Sequence, residues 1–206
     1  MKIACWGARC SIAVSGKEYV KSGGDTTCME ITSRDGDIII IDGGTGMRRL
    51  GNRLLASGAR TCSVLFTHAH WDHLMGFPFF KPIYLKGTKI SMFGCPYAQA
   101  SVKDMIARAM AAPYFPVDYG QLAADFTYHG VCDAAFEIGP VRITPIQLSH
   151  PNRGLGFRFE EDGKRFVFLT DNELGGEPEE KFIGFCGGAD YTKGWMTITP
   201  SNVSEN

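Results

Sequence analysis

Between Thr67 and Gly76 the chain reads Thr67-His68-Ala69-His70-Trp71-Asp72-His73-Leu74-Met75-Gly76, which sets three imidazoles and a carboxylate within six residues. Imidazole nitrogen combined with carboxylate oxygen is a ligand set that suits zinc, iron or manganese. The segment follows the run Cys62-Ser63-Val64-Leu65-Phe66, so these side chains leave the C-terminal end of a predicted strand. On an extended segment residues two apart project to the same side, which lets His68 and His70 converge on one ion. Asp72 and His73 fall where the chain turns into a helix and can face a second ion. Three of the chain's five histidines stand here, too dense a cluster for an incidental polar loop.

Such a site needs a rigid edge to hold it. Short apolar runs predict strands over Lys2–Trp6, Thr26–Thr32, Asp37–Asp42, Cys62–Thr67 and Lys89–Phe93. Asp37–Asp42 is apolar on both faces through its isoleucines, which marks a central strand covered on two sides. Ser33-Arg34-Asp35-Gly36 before it carries the Asp-Gly signal of a hairpin turn. After Asp42, Gly43-Gly44-Thr45-Gly46 leads into a helix that aligns Met47, Leu50, Leu54 and Leu55, with Gly58 as its stop. A second helix is predicted over Tyr97–Ala112, where Val102, Met105, Ile106, Ala109 and Met110 form a core-type stripe and Pro113 ends it. Ala124–Val131, Phe136–Leu148, Gly154–Glu160 and Arg165–Thr170 return to strand character, the last two joined by the turn Glu161-Asp162-Gly163-Lys164. Strands in both halves, each half contributing a helix, predict two packed sheets with helices outside them, a layered α/β fold.

Composition bounds the function. The 206 residues suit a single domain over 1–206, and 21 basic against 22 acidic side chains leave no basic footprint for nucleic acid. No apolar run approaches the roughly 20 residues of a membrane span. The start MKIACWGARCSIAVSG lacks the apolar core of a secretion signal, so a soluble, cytoplasmic chain is expected. The seven cysteines are scattered and never spaced CxxC, which excludes a zinc ribbon or an iron–sulfur site and gives no sign of a disulfide framework. Cys5, Cys62 and Cys95 lie inside apolar runs and are expected in the core. His129 reads as structural or exposed.

His68-x-His70-x-Asp72-His73 after an apolar strand resembles the signature of the metallo-β-lactamase-fold hydrolases. Trp6-Gly7-Ala8-Arg9, Gly23-Gly24-Asp25-Thr26-Thr27-Cys28, Ile41-Asp42-Gly43-Gly44-Thr45-Gly46, Ser149-His150-Pro151, Gly154-Leu155-Gly156-Phe157-Arg158 and Phe168-Leu169-Thr170-Asp171 extend the likeness. In order and spacing they resemble the cyclic-phosphate and cyclic-nucleotide phosphodiesterase branch. The resemblance implies a four-layer αββα sandwich and two divalent metal ions, zinc foremost, with manganese or iron as alternatives. His68, His70 and His150 would hold the first ion, Asp72 and His73 the second, with Asp171 bridging both. His150 and Asp171 each end a predicted strand, which suits that role. Asp42, at the end of the isoleucine strand, either accepts a hydrogen bond from a ligand imidazole or caps the following helix.

The resemblance further implies a phosphodiesterase acting on a small, cyclic phosphodiester, in which a hydroxide bridging the ions attacks phosphorus. Asp72, Asp171 and His150 are its catalytic residues, His150 or a bound water serving as acid for the leaving oxygen. A thioester or lactone hydrolase is the alternative chemistry for the same site. The family places a further histidine near the C-terminus, and no histidine follows His150 here. Ala189-Asp190 runs straight into Tyr191-Thr192 where relatives place a further apolar strand, so the C-terminal part reads as lacking the last helix and strand. Asp190, water or a partner chain would then complete the second ion's shell, or the chain would be a metal-binding but impaired module. An uncovered sheet edge would also favour a homo-oligomer.

Overall fold

Ile39, Ile40 and Ile41 are fully buried, and a sheet grows outward from them on both sides. The computed structural model describes residues 1–95, 101–173 and 179–196, which fall into two compact units, 1–130 and 131–206. In the first unit, strands β1 (Lys2–Gly7), β2 (Cys28–Thr32) and β3 (Ile38–Ile41) lead through helix α1 (Gly46–Ser57) to β4 (Thr61–Leu65). A one-turn helix α2 (Trp71–Leu74), β5 (Lys89–Gly94), helix α3 (Val102–Ala109) and β6 (Asp125–Gly130) follow. The six strands lie in sequence order, antiparallel from β1 to β3 and parallel from β3 to β6.

The parallel half follows from the helical crossovers that separate its strands. The α1 stripe is built as its spacing predicts: Met47, Leu50 and Leu54 are buried, and Gly58 ends the helix at φ 74°, its N–H reaching Leu54 and Leu55. In α3, Val102, Met105 and Ile106 are buried and pack into the same core as Ile40, Val64 and Met92. The first part of the predicted Tyr97–Ala112 helix lies outside the described residues.

The second unit is a five-stranded sheet, β7 (Phe136–Ile138), β8 (Val141–Leu148), β9 (Gly154–Glu161), β10 (Lys164–Asn172) and β11 (Tyr191–Met196), ordered β11-β10-β9-β8-β7. The single strand expected over Phe136–Leu148 is two, because Gly139 at φ 54° and Pro140 turn the chain between them. Phe159 and Phe166 face each other across β9 and β10 with ring centroids 5.7 Å apart. Helix α4 (Glu179–Cys186) sets Phe182 and Phe185 against Ile146, Leu148 and Val167. Among the described residues the C-terminal part holds α4 and β11, the latter parallel to β10. Periodicity missed β11 because Lys193 and Gly194 interrupt its apolar pattern.

Two cysteine expectations are corrected. Cys5 is exposed, because β1 is an outer strand with one neighbour. Cys95 and Cys132 are disulfide-bonded while Cys5, Cys10, Cys28, Cys62 and Cys186 are free thiols. No helix among the described residues is long and apolar enough to cross a membrane.

Candidate metal centre

The parallel strands β3 and β4 end side by side, and each delivers part of the site. The Asp42 N–H donates to Leu65 across the strand ends at 2.8 Å, and the Phe66 N–H donates to Phe93 at 2.9 Å. Beyond this ladder the chain leaves β4 through Thr67 and His68, and His70 is the N-cap of α2 in extended geometry. The helix is seated on the glycine turn after β3. The Gly43 N–H donates to the His73 carbonyl at 2.7 Å, and the Gly76 N–H donates to Gly43 at 2.8 Å. A Cβ on Gly76 would lie 1.9 Å from the Gly44 carbonyl oxygen, so only glycine permits this approach.

The four motif side chains converge within the first unit. His68 Nε2 and His70 Nδ1 lie 2.9 Å apart, and the His68 and His73 ring centroids are 4.2 Å apart. His73 Nε2 is 3.4 Å from Asp72 Oδ2. His68, Asp72 and His73 are buried and His70 is half-buried. Three imidazoles and a carboxylate gathered where β4 ends are ligand types that suit a divalent metal ion.

Asp42 resolves its two alternatives in favour of the imidazole. It is fully buried, and its Oδ2 lies 2.8 Å from His73 Nδ1. It also accepts from the Thr67 N–H at 2.8 Å and from the Thr67 hydroxyl at 2.9 Å. The N-cap of helix α1 is instead Thr45. With its Nδ1 proton held by a carboxylate, a neutral His73 presents Nε2 as a ligand, the arrangement that orients metal-binding histidines in general. Asp42 also stands at φ 62°, a left-handed conformation costly for a residue with a Cβ. Thr67 is the member of this network that sequence reasoning missed; its place directly before the first histidine is the signal available.

Electrostatics differ across the network. Burial pushes the Asp42 carboxyl upward, and the opposing pull of His73 and Thr67 offsets only part of it. Burial also pushes Asp72 upward, but the hydrogen bond and charge of His73 and the Ser11 amide outweigh it and hold Asp72 well below the usual carboxylate range.

The second unit carries the other two predicted residues. His150 follows β8, and Asp171 lies at the end of β10, buried and at φ 52°. Those strand ends are tied together although β9 runs between them: the Ser149 N–H donates to Asn172 Oδ1 at 3.0 Å, and the Glu173 N–H donates to Ser149 at 2.7 Å. His150 Nδ1 lies 3.7 Å from Glu173 Oε1, a neighbour the sequence did not single out. Asp190 does not supply a ligand beside Asp171. It is exposed, held by Lys164 Nζ at 2.9 Å and the Arg165 N–H at 2.8 Å. Arg165 and Asp171 sit at opposite ends of β10, six residues or roughly 20 Å apart at about 3.3 Å per residue. His129 is exposed and stacks on Phe93 at 4.5 Å, as expected of a residue outside the site.

The chain belongs to the beta-lactamase superfamily, whose domain model matches residues 38–192 and so spans every predicted ligand. Its fold is the metallo-β-lactamase fold. The metallo-β-lactamase-fold protein YhfI from Bacillus subtilis superposes with a TM-score of 0.64 at 16% identity, over 92% of this chain and 68% of that one. A diphosphatase of the PhnP family superposes with a TM-score of 0.65, also at 16% identity, over 92% of this chain and 72% of that one. In sequence, ribonuclease Z of Thermococcus kodakarensis is 24% identical over 139 residues, 66% of this chain and 41% of that protein. The matched region spans about half the length of the curated relatives, from 41% to 53%.

Proposed function

We propose that this chain is a metal-dependent phosphodiesterase that hydrolyses a small, cyclic phosphodiester at a site holding two divalent ions, zinc foremost. The observation that carries this reading is the convergence of His68, His70, Asp72 and His73, with Asp42 holding the far nitrogen of His73. His150 and Asp171 complete the ligand set by the family resemblance, so that residues 1–206 act as one metallo-hydrolase domain.

Bound divalent ions supply an acidified water and neutralise charge on the phosphoryl oxygens. The chain's own groups do the rest. His68, His70 and His73 are neutral nitrogen donors, and Asp42 keeps the His73 proton on Nδ1. Asp72 would help orient the nucleophile. Asp171 would supply a second carboxylate, and His150 or a bound water the proton for the leaving oxygen.

The ribonuclease Z relatives favour a second reading, in which the same chemistry cuts an RNA phosphodiester. The net charge of −1 weighs against it, because RNA binding relies on excess Lys and Arg. The deciding experiment loads the purified chain with zinc, measures ions per chain, and compares 2′,3′-cyclic nucleotides, bis(p-nitrophenyl) phosphate, a precursor tRNA, a thioester and a lactone. Two ions with cyclic-phosphodiester turnover that Asp72→Ala abolishes is the expected result. Turnover of the tRNA alone supports the second reading, and turnover of the thioester or lactone alone overturns both. One ion or none, with no turnover, identifies an impaired metal-binding module.

A further inference from the structure

The loop after β1 reaches the centre through one backbone amide. The Ser11 N–H donates to Asp72 Oδ2 at 2.8 Å, across 61 positions of sequence. Ser11 stands at φ 66°, and the Ile12 N–H closes back onto the Cys10 carbonyl at 2.9 Å. An i to i+2 bond around a residue of positive φ is the rarer, strained kind of three-residue turn. Such strain persists only where the surroundings fix it.

They do so here on both sides of the turn. The Ala8 and Arg9 N–H groups donate to the Asp25 carbonyl at 3.1 and 3.0 Å, and the Val14 N–H donates to Gly24 at 3.0 Å. The same 24–27 segment is bound to the glycine turn after β3, through the Gly44 N–H to Thr27 at 2.9 Å and the Thr45 N–H to the Thr26 hydroxyl at 2.8 Å. That glycine turn is what seats α2. The amide and the carboxylate it meets are therefore mounted on one frame.

We propose that Ser11 is a positioning residue whose backbone N–H, turned outward by the strained 10–12 turn, fixes the rotation of the Asp72 carboxylate for metal binding. The inference rests on the reading of Asp72 as a ligand. A carboxylate on a one-turn helix has a broad torsion about its terminal bond. One charge-assisted hydrogen bond removes that freedom. The role belongs to the amide and not to the hydroxyl, which explains why no residue type at position 11 announces it.

The test replaces Ser11 by its α-hydroxy acid through nonsense suppression, exchanging the N–H for an oxygen, with Ser11→Pro and Ser11→Gly alongside. Zinc affinity is read by chelator competition, and metal-free thermal unfolding reports folding. The ester and S11P are expected to bind the weaker ion 10- to 100-fold less tightly, as loss of a partner behind a metal ligand typically does. S11G, which keeps the N–H and relieves the positive φ, is expected to bind as wild type does. Wild-type affinity in a folded ester variant overturns the proposal, as does an equal loss in S11G. If the wild-type chain binds no zinc, the function reading fails first, which separates the two failures.

Discussion

Asp42→Asn changes one atom at the most constrained point of the centre. Asp42 is fully buried and accepts from the Thr67 N–H at 2.8 Å, the Thr67 hydroxyl at 2.9 Å and the His73 Nδ1–H at 2.8 Å. An asparagine keeps the shape and leaves its carbonyl to the Thr67 N–H, so its NH2 group faces His73 Nδ1. A donor there displaces the proton to Nε2 and removes the lone pair that a metal ion needs. Hydrogen bonds to charged groups contribute about 1.5–3 kcal/mol. At about 1.4 kcal/mol per tenfold change, that is roughly a 10- to 150-fold loss of metal affinity. The fold should suffer less, because burial already raises the Asp42 carboxyl and the neutral amide escapes that cost. The assay is chelator competition with zinc or cobalt, beside thermal unfolding of the metal-free chain. Wild-type affinity in D42N refutes the reasoning, and so does a loss of affinity that merely tracks a collapse of the metal-free fold.

Three further perturbations test the frame. Gly76→Ala forces a methyl to within 1.9 Å of the Gly44 carbonyl oxygen, so α2 must move off its seat. A stability loss of about 3 kcal/mol and weakened zinc binding are expected from denaturant melts and chelator competition. Glu30→Ala strands Trp6 and Arg53, because buried Glu30 accepts from the Trp6 indole N–H at 2.8 Å and from Arg53. A loss of about 2 kcal/mol with metal affinity intact is expected, given that Arg53 is itself partly exposed. Burial pushes the Cys62 thiol from 9.0 up to about 12. A folded value above the unfolded one gives stability that is present below pH 9 and lost as pH rises toward 12, by about 4 kcal/mol at 1.36 kcal/mol per decade. Urea midpoints from pH 8 to 12 should therefore fall less steeply in Cys62→Ala, and identical slopes would contradict the assignment.

The motif was legible because its information is local. His68, His70, Asp72 and His73 lie within six residues, and extended alternation followed by a helix start lets His68 and His70 share one side with Asp72 and His73 at the turn. Helix α1 with its Gly58 stop and the doubly buried isoleucine strand were equally legible, since periodicity and punctuation are properties of short windows. The second unit was less so. Gly139-Pro140 splits a run that reads as one strand, and β11 hides behind Lys193 and Gly194.

Sequence alone determined the candidate ligand types, their spacing, the strand that delivers them and the superfamily to which the chain belongs. Tertiary structure alone decided that Asp42 turns to His73 instead of capping α1, and that Asp190 sits at the far end of β10 from Asp171. It also decided that a backbone amide at Ser11 meets the carboxylate of Asp72. The physical reason is common to all three. Each depends on which strand ends lie side by side, and every residue but proline carries the same amide, so no pattern along the chain records where one will point.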